Sequence, residues 1–270
     1  MDRRRFLELA GVATLASVGA TAVLTPTASA SEVTTMQGAD LFGWETALGD
    51  GLWSAPGQAG VDMADIATDH RTTHSELRAN VSQRGVMAHN ITFRRDINPM
   101  HLSTIHATSY DFAMPYLPSP SAWPDNAQTL EGGFFVWDGA TSRKDYGIAF
   151  QWILNPWMSS FGEIRTWTGT NGGEWATSGH LAPDTNWHTA EFIVDVVAET
   201  TALVIDDVTL PVALAATEKP SSWGTEVAAR LQTEAISLWP GSNPNPPSHR
   251  AQFRNWSWSC IPHSTVEGGS

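Results

Sequence analysis

Thirteen tryptophans against three tyrosines give the 270-residue chain its strongest chemical signal. A flat indole stacks on the apolar face of a sugar ring and keeps an N–H for a hydroxyl, so sugar-binding grooves use it heavily. Trp137 and Trp157 stand at the ends of alternating segments, beside Asp138-Gly139 and Asn155-Pro156, and Trp123 lies in the run Pro118 to Pro124. These three are candidates for a groove rim, with Gln151, Asn155 and Arg165 from the same region as polar contacts. Trp152, Trp187 and Trp239 fall inside strand-like segments, where core packing suffices to explain them.

Other chemistries leave fainter marks. Hydrolysis of a glycoside needs two carboxyl groups about 5 to 9.5 Å apart. Glu191 and Asp195 share one face of an alternating segment, although an outward pair of this kind is more often simply solvated. His70 and His74 are four apart with Glu76 nearby, and could share a metal ion if that segment were helical. No H-E-x-x-H follows and the one cysteine offers no thiolate pair, so no metal site is assigned. Asp138 to Asp145 and Asp206-Asp207 offer oxygen ligands for a structural calcium ion. Nucleophile elbows, phosphate loops and dinucleotide fingerprints do not occur.

The elements that must position these groups read as strands. From Glu76 onward, short alternating segments are separated by Gly, Pro, Asn and Asp, the pattern of a β-sandwich. In Val86 to Arg94, the residues Met87, His89, Ile91 and Phe93 share a face, as do Tyr146, Ile148, Phe150, Trp152 and Leu154 further on. Trp187 to Val197 turns His188, Ala190, Phe192, Val194 and Val196 inward. Two hairpins are predicted: Glu163 to Thr168 with Glu174 to Ser178, which sets Trp167 across from Trp175, and Thr201 to Ile205 with Val208 to Leu210 around Asp206-Asp207. The last strands are Glu234 to Trp239 and Ala251 to Trp258. One segment, Trp223 to Gln232, predicts a short helix, with Trp223, Val227, Ala228 and Leu231 on one stripe. Roughly a dozen strands make a single domain over residues 51–264, with residues 31–50 and 265–270 loose.

Residues 1–30 read as an address. Arg3-Arg4-Arg5 precede the apolar run Ala10 to Leu24 and the cleavage site Ala28-Ser29-Ala30. Arg3-Arg4 followed by Phe6-Leu7 resemble a bacterial twin-arginine export signal, with an ordinary secretion signal as the alternative. The expected location is therefore secreted or periplasmic. The formal net charge is −13, and it becomes more negative once the signal's arginines leave. Such a chain repels phosphate backbones, which argues against nucleic acid and anionic membrane surfaces as partners. No stretch of about eighteen apolar residues exists to span a bilayer, so no membrane insertion is expected after signal removal. Cys260, the only cysteine, can form no internal disulfide and reads as a buried small hydrophobe.

Leu181 to His188, Phe192 to Asp195 and Leu203 to Asp207 resemble a stretch of the concanavalin A-like jelly rolls, in which a Trp-His pair, here Trp187-His188, opens a strand and a following hairpin turns on aspartate. Ile236 to Trp239 and Ala251 to Trp256 sit where such folds place their last strands. The resemblance spans residues 129–258 and implies an all-β, concanavalin A-like jelly-roll β-sandwich. The E-x-D-x-x-E arrangement familiar from jelly-roll hydrolases is absent.

A second resemblance is to the alginate-lyase-like polysaccharide lyases. Ser75-Glu76-Leu77-Arg78 match their R-S/T-E-L-R strand, with His74 for the leading arginine, and Ile105-His106 match their Q-I/V-H, with Thr104 for glutamine. The late strand, Glu234 to Trp239, has neither the tyrosine nor the lysine of the third motif. The resemblance implies that Arg78 neutralises a uronate carboxylate and His106 takes the C5 proton. Tyr110, Tyr116 or Tyr146 would supply the phenol, and Tyr110 is the catalytic candidate. That trio needs Ile105 in the core and His106 outside, with Leu77 inward and Arg78 on the surface of His106.

The sequence thus predicts an exported jelly roll that binds an extracellular glycan. Cleavage by a polysaccharide lyase, or by a glycoside hydrolase, is the enzymatic alternative, and a sandwich holding an apolar small molecule is a third. Acidic glycans fit only if Arg71, Arg78, Arg94 and Arg95 gather into a positive groove.

Overall fold

Alternation decides which side of each strand meets the core, and here it stacks two antiparallel sheets face to face. The computed structural model describes residues 33–48, 52–54, 62–79, 86–88, 91–117, 128–138, 145–154, 156, 158–168, 174–212, 215–216, 223–236 and 249–263. Strands are numbered in chain order. The first sheet runs β15 (Val208–Leu210), β14 (Thr200–Ile205), β13 (His188–Asp195), β8 (Thr104–Ala113), β18 (His249–Pro262), β5 (Ser75–Ala79) and β4 (Ile66–His70), with β1 (Thr34–Gly38) also paired to β18. The second runs β12 (Glu174–His180), β11 (Glu163–Thr168), β10 (Asp145–Leu154), β9 (Gln128–Trp137), β17 (Glu226–Ile236), β7 (Ile91–His101) and β2 (Glu45–Leu48), with β16 (Ala215–Ala216) paired to β10. A separate ribbon joins β3 (Leu52–Ser54) to β6 (Val86–Ala88). The chain crosses between the main sheets at β1 to β2, β7 to β8, β8 to β9, β12 to β13, β15 to β16 and β17 to β18, and by way of the ribbon strands from β2 to β4 and from β5 to β7, which gives the expected jelly-roll β-sandwich.

The space between the sheets is filled by rings. Ile148, Phe150, Trp152 and Leu154 of β10 and Leu130, Phe134 and Val136 of β9 face Tyr110 and Phe112 of β8, Phe192 of β13 and Trp258 of β18. Phe112 lies 5.4 Å from Phe150, and Phe134 lies 5.4 Å from Trp258, centroid to centroid across the sandwich. Rings of this size bury roughly 150–250 Å² each, so truncating one costs about 3–5 kcal/mol. Gly132 on β9 keeps the sheets this close, because the Tyr110 hydroxyl occupies the space its β-carbon would need.

Local pairings follow the sequence. β11 and β12 pair with Trp167 opposite Trp175, and β14 and β15 close on Asp206 and Asp207, whose φ angles of 48° and 67° suit a two-residue hairpin turn. Three expectations change. Residues 223–232 form no helix, since Glu226–Ile236 is a central strand in which Val227, Ala229 and Leu231 point inward. Ala, Arg and Leu favour a helix by only tenths of a kcal/mol each, and paired neighbours on both edges outweigh that. The N-terminal segment expected to be loose carries β1 and β2, anchored by buried Leu41 and Trp44. The single strand expected over Val86 to Arg94 is divided between β6 and β7, which belong to different sheets. No helix among the described residues is long and apolar enough to cross a membrane.

Candidate functional site

On the second sheet, the residues that point away from the core line up in rows across the strands. One row reads Ala47, Thr92, Glu234, Glu131, Gln151, Arg165 and Thr177, one residue per strand, each in register with the next. Thr92, Glu234, Glu131 and Gln151 are buried although they face away from the core, which makes the middle of the row its deepest part. Residues directly opposed across a strand pair hold their β-carbons about 4.5–5.5 Å apart. Glu131 and Glu234 are so opposed, at 7% and 0% exposure.

Each carboxyl has its own amide. Gln151 Nε2 donates to Glu131 Oε2 at 2.9 Å, and Gln232 Nε2 donates to Glu234 Oε1 at 2.9 Å. Burial pushes Glu131 up to about 7, against the opposing pull of the Gln151 hydrogen bond. Glu131 therefore keeps its proton up to near-neutral pH. Thr129 shares this face two residues before Glu131; it is fully buried and its Oγ1 has no hydrogen-bond partner.

Aromatic side chains border the row. The Phe135 ring lies against Gly133, where an added β-carbon would come within 2.6 Å of it. Trp137 follows, its ring 6.2 Å from that of Phe135, and the Arg230 guanidinium lies 4.7 Å above the Trp137 ring. Trp167 and Trp175 meet edge to face at 5.3 Å on β11 and β12. The arginines of this face are already paired. Arg94 binds Glu45 through two hydrogen bonds, at 2.7 and 2.8 Å, and this holds Glu45 below the usual carboxylate range. Arg230 binds Asp96 in the same way at 2.6 and 2.8 Å, and Arg165 donates to Glu163 at 3.2 Å.

Of the residues singled out in the sequence, Trp137, Gln151 and Arg165 lie on this face, with Gln151 and Arg165 directly opposed and Trp137 further along β9, opposite Asp145. Asn155 and Trp157 lie outside the described residues, as does Trp123. The trio Arg78, His106 and Tyr110 is not assembled. On β8 the inward set is Thr104, His106, Thr108, Tyr110 and Phe112, so His106 and Tyr110 are buried in the sandwich while Arg78 is exposed on the opposite face of the first sheet. Tyr110 and Phe112 outweigh Ile105 and Ala107 in apolar bulk, and they set which side of β8 faces in. His106 packs 4.8 Å from Phe134 and accepts a 3.0 Å hydrogen bond from Trp258 Nε1, and burial lowers it to about 3. Burial likewise pushes Tyr110 well above 10, with Glu234 and Glu131 adding to the effect.

The positive groove is not formed either. Arg71 pairs with Asp69, Arg78 lies 3.9 Å from Glu76, and Arg95 lies over Trp256. His70 ends a strand and shares a hydrogen bond with Ser75, so the helical spacing that would join it to His74 does not arise. Glu191 and Asp195 sit on the outer face of the first sheet, where Asp195 accepts from the Ala198 N–H of the following turn. Among the described residues no group of three or more His, Cys, Asp or Glu could hold a metal ion. Asp206 is committed to His188 and to the Thr189 N–H, and most of Asp138 to Asp145 lies outside the described residues. Sequence reading missed Glu131, Glu234, Gln232 and Thr129, whose only signal is polarity at outward positions of strands.

No protein-family model matches the chain, and no curated protein matches it. Among solved structures it is similar to the alginate lyase Aly36B, at 9% identity and a TM-score of 0.49, covering 83% of this chain and 96% of that one. It is also similar to lectin I from Ulex europaeus in complex with the methyl glycoside of alpha-L-fucose, at 12% identity and 0.42, covering 86% and 99%. The endo-1,3-beta-glucanase from Streptomyces sioyaensis gives 13% identity and 0.42, covering 88% and 99%. At these identities the likeness concerns the sandwich and no residue of the site.

Proposed function

We propose that the protein is exported and binds a glycan along the outer face of its second sheet. The observation that carries this reading is the polar row from Thr92 to Thr177, bordered by Phe135 with Trp137 and by Trp167 with Trp175. Indoles supply the stacking surface, and Gln151, Gln232 and Arg165 supply donors and acceptors for hydroxyls. Among the described residues every arginine of this face has a carboxylate partner, which favours neutral glycans over a polyuronate. Arg78 and His106 on opposite sides of the first sheet speak against lyase chemistry. The ring contacts filling the space between the sheets favour a ligand outside over an apolar one within.

Affinity electrophoresis of the mature protein through gels containing xylan, galactomannan, mixed-linkage glucan, starch, pectin or alginate tests this. Retardation by at least one neutral polymer is expected, and Trp137→Ala should weaken it by about 1 kcal/mol, roughly fivefold. Free migration through every gel, or retardation unaffected by Trp137→Ala and Trp167→Ala, would overturn the reading.

A further inference from the structure

We propose that Phe135 is a stacking platform of this face, laid flat by Gly133 and Gly147, and that with Trp137 it selects β-1,4-linked glycans whose backbone hydroxyls are all equatorial. The inference rests on the glycan-binding reading and adds to it the residue that takes the sugar ring and the class of sugar it takes.

Phe135 points away from the core, between Phe134 and Val136, which point into it. Its side chain is only partly buried. Gly133 precedes it by two residues on β9, and Gly147 stands directly opposite it on β10, so all three belong to the outer face. An added β-carbon at Gly133 would come within 2.6 Å of Phe135 Cε2 and 3.0 Å of its Cζ. One at Gly147 would collide with Phe135 Cδ1 and come within 3.1 Å of its Cε1. One ring thus fills the space of two missing side chains on two strands, so it lies along the sheet and turns a face outward. Glycine weakens a strand interior, and marks a place where another group approaches the backbone closely. Pairing an aromatic ring with the glycine opposite it accounts for Gly147. Gly133, on the same strand as the ring, is needed only for the ring to lie down.

Trp137 continues the surface two residues further along β9, its ring 6.2 Å from that of Phe135 with 33° between the planes. Arg230, directly opposite Phe135 on β17, is fixed by Asp96 and braces the indole from one side. A phenyl ring has no polar atom, so it suits a sugar face made of C–H groups. A hydroxyl standing on that face would lose its water and find no partner. Successive sugars of a β-1,4-linked chain are turned over with respect to each other, so two adjacent platforms meet opposite faces of neighbouring rings. Both faces must then be free of axial hydroxyls, as in gluco- and xylo-configured backbones. A mannan backbone presents its axial hydroxyl at every second ring, and the coiled chain of starch does not lie along a flat surface.

The test is affinity electrophoresis of the mature protein and its variants, with urea midpoints to show that each variant is folded. Xylan or mixed-linkage glucan, with its runs of β-1,4 links, should retard the wild type more than galactomannan or starch. Phe135→Leu keeps an apolar side chain but no flat face, and should weaken that retardation about fivefold or more. Phe135→Tyr keeps the face and should stay within about twofold of wild type. Gly147→Ala keeps Phe135 but drives its ring off the sheet, and should weaken retardation about as much as Phe135→Leu, which a purely structural role of the ring would not produce. Unchanged retardation of a folded Phe135→Leu, or stronger retardation of the wild type by galactomannan or starch, overturns the inference and leaves the binding reading standing. Free migration of the wild type through every gel removes both. Where a variant does not fold, the order of the polymers against the wild type decides alone.

Discussion

Replacing Glu131 by glutamine tests the buried carboxyl pair with no ligand present. Burial raises this group from an ordinary 4.5 to about 7. A carboxyl raised in this way holds its proton more tightly folded than unfolded, so between about 4.5 and 7 unfolding releases a proton and stability falls as pH rises. That span, at about 1.4 kcal/mol per pH unit, amounts to at most about 3 kcal/mol by pH 8. Glutamine has nearly the same shape, keeps an oxygen for the Gln151 amide and has no proton to lose. Urea melts at pH 4.5, 6 and 8 should therefore show Glu131→Gln close to wild type at the lowest pH and up to about 3 kcal/mol more stable at the highest. A variant less stable than wild type at pH 8, or a difference that does not change with pH, would refute the reasoning.

His106 gives the opposite slope. It is lowered from 6.5 to about 3, so the stability of the neutral ring is complete above pH 6.5 and is lost as pH falls toward 3. His106→Phe leaves the Trp258 N–H without its acceptor and should cost about 1–3 kcal/mol at pH 8, a gap that thermal melts should show narrowing by pH 5. Gly132→Ala should lose about 1–3 kcal/mol by driving a methyl group into the Tyr110 hydroxyl, and adding Tyr110→Phe should recover part of that loss. Tyr110→Phe alone removes a buried hydroxyl that has no partner, so its urea midpoint should match or exceed that of wild type.

What the sequence discloses here divides along contact distance. The hairpins β11–β12 and β14–β15 and the inward face of β13 depend on neighbours in the chain, and alternation with turn residues reveals them. Trp137, Gln151 and Arg165 share a face because β9, β10 and β11 pair consecutively, so closeness in sequence carries over to the sheet. Glu131 and Glu234 are about a hundred residues apart and meet only because β17 inserts between β9 and β7. No local pattern encodes that register. The facing of His106 is set by residues beyond its immediate neighbours. Alternation over Met100 to Thr108 leaves the facing undecided, and including Tyr110 and Phe112 places His106 with the buried set. The helical stripe from Trp223 to Leu231 coexists in the sequence with a period-two set, Val227, Ala229, Leu231 and Thr233, and only the flanking strands choose between them.

A crystal structure of the mature protein with an oligosaccharide cut from a polymer that retards it tests the central claim most directly. The expected result is a sugar ring stacked on Trp137 or on the Trp167–Trp175 pair, with hydroxyls in hydrogen-bond reach of Gln151 and Arg165. An oligosaccharide seated on the outer face of the first sheet, or held without contact to any of these residues, would contradict it.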